Sequence, residues 1–108
     1  IKTKWLEALR SGKYKQGNRV LRRTNDDQDE YCCLGVLCDL ISPEKWYKPD
    51  YGSWMFFLAT NGDKTGHFPP DEIMRVAGLS TENGDTLAKK NDKGQSFQEI
   101  AKYIEENL

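Results

Sequence analysis

Along the chain the apolar positions fall into a few periodic groups set around one continuous run. That run reads Tyr31-Cys32-Cys33-Leu34-Gly35-Val36-Leu37-Cys38-Asp39-Leu40-Ile41. An element apolar on nearly every face must be covered on all sides, so residues 31–41 are predicted to form the central buried helix. Asp39 is the one charge inside it, and a buried carboxylate needs a partner. Before it, Trp5, Ala8 and Leu9 with Leu6 form a helical stripe over residues 3–11, with Thr3 as N-cap and Gly12 as the stop. Residues 18–23 predict a short strand, and the polar segment 24–30 a mobile loop.

After Ser42-Pro43 the pattern becomes aromatic: Trp46, Tyr47, Tyr51, Trp54, Phe56 and Phe57 lie within twelve residues. Pro49, Asp50 and Gly52 break any long helix there, and residues 53–60 read as a second strand, with Trp54, Phe56 and Leu58 on one face. A short helix is expected over 70–77, with Asp71 and Glu72 at its positive end. Asn83-Gly84 signals a turn, followed by one helical turn over 86–91. Ser96 and Glu99 form a capping box opening a last helix over 96–107, whose inward stripe is Phe97, Ile100, Ala101, Ile104 and Leu108. The fold expected is α+β: a single compact domain over 1–108, with about four helices around a small antiparallel sheet.

Composition narrows the function classes. The 37% hydrophobic content supports one modest core, and no apolar run approaches the ~20 residues of a membrane span. The chain opens at Ile1 without a basic-then-apolar leader, so a cytoplasmic protein is expected. The 3 cysteines crowd into the central run, which suits reduced, packed thiols better than a disulfide framework. Cys32, Cys33 and Cys38 lack metal-ligand spacing and His67 is the single histidine, so neither a zinc site nor another cofactor is expected. The charge of -1 hides an asymmetry. Residues 1–23 carry Lys2, Lys4, Arg10, Lys13, Lys15, Arg19, Arg22 and Arg23 against Glu7, whereas Asp26, Asp27, Asp29 and Glu30 follow directly. With a pI near 5.9, extended nucleic acid is not the expected partner.

Trp5-Leu6, Ala8-Leu9-Arg10-Ser11-Gly12, the Cys32-Cys33-Leu34-Gly35-Val36-Leu37-Cys38-Asp39 block, Asn91-Asp92, Gly94, Ser96-Phe97 and Ile100-Ala101 together resemble a family of small bacteriophage and prophage accessory proteins. The resemblance implies action in a bacterial host cytoplasm, against a host defence signal or defence protein. Separately, Cys33-Leu34-Gly35-Val36 is similar to the start of the nucleophile helix in NlpC-type papain-like peptidases, with His67 as the base. The match departs where that family has Asp and Ser, which are here Cys32 and Leu34.

The combination that carries chemistry is aromatic plus basic. Flat faces and guanidinium groups are what a nucleotide-type anion needs. Trp46, Tyr47, Tyr51 and Trp54, with Phe57, are the candidate faces; Arg19, Arg22 and Arg23, with Lys15, are the candidate cations. The expected function is non-enzymatic sequestration of a small anionic, nucleotide-derived signal by a homo-oligomer. The alternative is a protein–protein inhibitor anchored by the same aromatics, and the third reading is the Cys–His hydrolase.

Overall fold

The computed structural model describes residues 1–49, 53–57 and 64–108. It is an α+β fold, with five α-helices and two small sheets among those residues. Helix α1 (Lys2–Ser11) buries Trp5 and Leu9 and stops at Gly12, whose φ of 78° favours glycine. Helix α2 (Cys33–Ile41) buries six consecutive residues, from Cys33 to Cys38. It packs between α1 and α4 (Thr81–Asp92), while α5 (Phe97–Asn107) lies on α1. A short α3 (Asp71–Val76) adds Ile73 and Met74 to the core. No helix among the described residues is long and apolar enough to cross a membrane.

The first sheet is ordered β1-β3-β2, from β1 (Lys15–Gln16), β2 (Arg22–Asn25) and β3 (Gln28–Tyr31). The second is β4-β5-β6, from β4 (Trp46–Tyr47), β5 (Met55–Phe57) and β6 (Lys64–Thr65), all antiparallel. The two meet through backbone bonds: Trp54 N–H donates to Arg22 O and Leu21 N–H to Gly66 O.

Several elements differ from the pattern reading. The central helix begins at Cys33, not Tyr31: Tyr31 ends β3, and Cys32 is the N-cap, its sulfur accepting from Gly35 N–H at 3.3 Å. The strand expected over 18–23 begins only at Arg22. Arg19 is left-handed (φ 70°), and the Leu21 backbone bonds to Gly66 and Cys32 instead of a ladder. The acidic segment is a β-hairpin and not a loop, because Asp26 and Asp27 both take positive φ, as a tight hairpin turn requires. The first sheet is mixed: β1 runs parallel to β3. The Asn83-Gly84 turn signal lies inside α4. Asn83 is the third helical residue and closes a capping box with Ser80. A Cβ at Gly84 would sit 2.5 Å from Met74 Cε. Of the strand expected over 53–60, only 55–57 is a strand, and 58–60 fall outside the described residues.

The core is fastened at the N-terminus of α2. Leu21 crosses the helix there, so closely that a Cβ on Gly35 would lie 1.8 Å from Leu21 O. Cys32 N–H returns a bond to that same carbonyl at 3.2 Å. Asn91, buried in α4, accepts from Cys33 N–H and from Gln16 Nε2, both at 3.1 Å, and donates to Gly17 O at 2.7 Å. Gln16 in turn accepts from Phe97 N–H at 3.0 Å, at the first turn of α5.

Two stability outcomes follow from this junction. Gly35→Ala drives a methyl into a backbone carbonyl that cannot move alone, so a loss of about 3 kcal/mol or more is expected in urea denaturation. Asn91→Leu fills similar space but strands two donors and an acceptor, and a loss of roughly 3 kcal/mol is expected by the same measurement. A loss below about 1 kcal/mol in either case contradicts the stated geometry.

Candidate functional site

The hairpin register sets Arg22 opposite Tyr31, Arg23 opposite Glu30 and Thr24 opposite Asp29. In the second sheet Trp46 stands opposite Phe56, and Trp54 precedes β5, bonded to the Arg22 carbonyl. These registers bring three aromatic rings around one cation. The Arg22 guanidinium carbon lies 3.7 Å from the Trp54 ring centroid, 5.2 Å from Tyr31 and 5.3 Å from Trp46. All three distances fall within cation–π range. The rings also pack edge to face: Tyr14 on Tyr31, and Trp46 on Tyr31, Trp54 and Phe56.

Polar partners hold this cluster in place. Arg22 Nη2 donates to Asp29 Oδ2 at 2.5 Å, while its buried Nε has no hydrogen-bond partner among the described residues. Thr24 Oγ1 donates to Asp29 Oδ1 at 2.6 Å and accepts from Trp54 Nε1 at 3.0 Å. Desolvation tends to raise the Asp29 carboxyl, but the bonds from Thr24 and Arg22 prevail and hold it below the usual range. Asp39 receives Trp46 Nε1 at 2.9 Å and the Tyr14 hydroxyl at 2.6 Å, which supplies the partners its half-buried position calls for. Burial pushes the Tyr31 phenol up to about 12, with the Asp39 charge adding to the effect.

The predicted site residues thus separate. Arg22, Trp46 and Trp54 converge. Tyr47 is in β4 beside Trp46, with 41% of its surface exposed. Arg23 instead pairs with Glu30 at 2.9 Å, which Lys15 shares at 3.4 Å. The Arg23 bond, then Lys15, outweigh burial and lower the Glu30 carboxyl. Arg19 stands apart from the aromatic cluster: its N–H donates to Asp92 Oδ1 at 2.8 Å, and its carbonyl accepts from His67 Nδ1 at 3.1 Å. Tyr51 lies outside the described residues, as does the Phe57 side chain. Sequence reasoning missed Tyr14, Tyr31, Thr24 and Asp29 as members. The available signal was Asp39, a charge in an apolar run that had to find donors.

The Cys–His pair is not assembled. Cys33 has no exposure, its sulfur faces Leu87 O at 3.7 Å, and His67 is at the surface with the Arg19 carbonyl. Burial raises all three thiols, Cys32 to about 11 and Cys33 and Cys38 further. A protonated, enclosed thiol is neither nucleophile nor metal ligand. Among the described residues no three His, Cys, Asp or Glu side chains are grouped to hold a metal ion.

Raised thiol values link to stability with a definite sign. Unfolded thiols ionise near pH 9 while the folded ones stay protonated, so stability is full below pH 9 and falls as pH rises. For Cys32 the window runs from pH 9 to about 11 and represents roughly 2–3 kcal/mol. The denaturation midpoint is expected to drop across that window, and thiol reagents at pH 7.5 to label the native protein only at the unfolding rate. Rapid labelling of Cys33 in folded protein contradicts this assignment.

Comparison with known proteins places this geometry in a family without assigning it a role. No curated protein and no solved structure matches the chain. A family model described as a domain of unknown function, DUF8296, matches residues 1–108, and the chain belongs to that family.

Proposed function

We propose that this domain is a non-enzymatic binding protein that docks on another protein through the aromatic face of its second sheet. The observation that carries this reading is the state of Arg22. Its guanidinium is stacked over Trp54 at 3.7 Å and its charge is answered by Asp29. An arriving anion would have to displace that carboxylate, as it would have to displace Glu30 from Arg23. Stacked arginine beside tryptophan and tyrosine is instead the composition of interface anchors, which gain by excluding water from flat contacts. Tyr47, beside Trp46, supplies an exposed aromatic edge to that face.

The resemblance to phage accessory proteins supports a host defence or regulatory protein as the partner, met in the bacterial cytoplasm. Sequestration of a nucleotide-derived signal is the second reading. It requires an unpaired cation beside the aromatic faces: Arg22 and Arg23 are already paired there, and Arg19 stands apart from the cluster.

Tyr47→Ala tests the docking reading with little disturbance of the core. Tagged wild-type protein expressed in host cells is expected to retain one stoichiometric protein partner. Tyr47→Ala is expected to weaken that complex by about tenfold or more in protein that keeps its fold by circular dichroism. Equal retention by both proteins refutes the surface assignment. Absence of any partner, together with calorimetric heat from a cyclic nucleotide or an ADP-ribose derivative, replaces this reading with the second.

A further inference from the structure

Much of the basic excess of residues 1–23 is absorbed by the fold. Arg10 pairs with Glu105, Lys15 and Arg23 share Glu30, and Arg22 meets Asp29. Lys4 and Lys13 are exposed, and their ammonium groups have no ion-pair or hydrogen-bond partner among the described residues. Both line one groove, of about 420 Å³, which opens between α1 and the last turn of α2. That volume is within the range of small-molecule sites.

The helix stop builds the groove. On α1, Lys4, Glu7 or Ala8, and Ser11 follow at spacings of three and four, so they share a face. Ser11 Oγ donates to Ala8 O at 2.7 Å and accepts from Lys13 N–H at 3.1 Å, which turns the chain back at Gly12 and sets Lys13 beside that face. The floor is apolar: Ala8, Tyr14 and Leu40 line it, half-buried and packed on the core. Tyr14 is fixed from two sides. Its hydroxyl donates to Asp39 Oδ2 at 2.6 Å, and its ring packs edge to face on Tyr31 with centroids 5.0 Å apart. Burial, then the bond to Asp39, push its phenol well above the ordinary range, so the floor adds no charge of its own. Asp39 does not line the groove, and its oxygens are taken up by Tyr14 and Trp46. Glu7 is the one carboxylate that lines it, against two lysines, which leaves the rim with one net positive charge.

We infer that this groove binds a small amphipathic anion, with a flat apolar body on Ala8, Tyr14 and Leu40 and an oxyanion held by Lys4 and Lys13. Ammonium groups act as point charges without a fixed fork, so carboxylate and phosphate share the chemistry the rim recognises. One net charge at an exposed rim selects an anion without holding it, because salt screens it. The apolar body therefore supplies the affinity and the lysines the choice of charge. The site lies apart from the aromatic docking face: it uses none of Trp46, Tyr47 or Trp54, and either can fail alone.

Nitrogen-15 NMR at fixed ionic strength tests it, with phenylacetate in one arm and phenyl phosphate in the other. Acetate, which lacks the body, and benzyl alcohol, which lacks the charge, are the controls. The expected result is saturable shifts centred on the amides of Ala8, Lys13, Tyr14 and Leu40. The arm that saturates at lower concentration tells carboxylate from phosphate, and both controls are expected to bind more weakly than that arm. Lys4→Gln and Lys13→Gln are each expected to weaken binding of the anion about threefold, and the double variant about tenfold, while binding of benzyl alcohol stays unchanged. Both side chains are exposed and unpaired, so the variants keep the fold, which their amide spectra report directly. Shifts that fail to saturate or centre elsewhere overturn the site. So does benzyl alcohol or acetate binding as well as the aromatic anions, or a double variant that binds them with unchanged affinity.

Discussion

The structure depends on how the first turn of α2 is satisfied. A helix start leaves backbone N–H groups without intrahelical partners, and at the surface water supplies them. Here Cys33, Leu34 and Gly35 have no exposure to speak of, so the protein must supply acceptors itself. Asn91 from α4 takes Cys33 N–H, and the Cys32 sulfur takes Gly35 N–H. Each acceptor brings a segment with it: Asn91 ties down Gly17, and through Gln16 reaches the start of α5. Trp5 Nε1 donates to Cys33 O at 2.9 Å and draws in α1. Satisfying one buried helix end therefore fixes four other segments, and the apolar packing follows from their placement.

The second constraint is charge. Burying the Arg22 guanidinium under Trp54 is costly unless its charge is answered, and the hairpin answers it with Asp29. The same hairpin sets Glu30 against Arg23. The acidic run after the basic segment is therefore a matched set folded back on its partners, which is why a chain so divided in sequence has a locally compensated surface there. The lowered carboxyls of Asp29 and Glu30 express this pairing: their contribution is present above the usual carboxylate range and is lost as acid protonates them.

Much of this was legible in the sequence, and for physical reasons. An all-apolar run has one solution, burial, so α2 as the core was readable from residues 31–41. The Ser96–Glu99 box and the stripe after it specify α5 locally. The convergence of Arg22, Trp46 and Trp54 was readable as composition but not as geometry. What could not be read was anything set by distant partners. Asn83-Gly84 has turn chemistry, yet a capping bond from Ser80 and the space left by Met74 keep it helical. Thr24 and the acids after it look like a solvated loop until the arginines opposite them are placed. Asn91 looks like a surface residue at a helix end, because nothing local says that a buried N–H of another helix waits for it.

The three arginines of the first basic segment show why composition cannot stand in for a site. Arg19, Arg22 and Arg23 lie within five residues, and a count of charge treats them alike. The fold gives them three different electrostatic states. Arg22 is stacked and neutralised, so it offers a flat, desolvated face. Arg23 is paired across the ladder and remains half exposed. Arg19 precedes the strand, on a backbone turned out of it by Asp92 and His67, and keeps its charge. The register of β2 on β3 makes this division, since it begins at Arg22 and leaves Arg19 outside. A shift of that register by one residue would exchange the faces of Arg22 and Arg23 and dissolve the aromatic cluster. The aromatic cluster is therefore a property of the hairpin register, which is itself held by the crossing of Leu21 over Gly35.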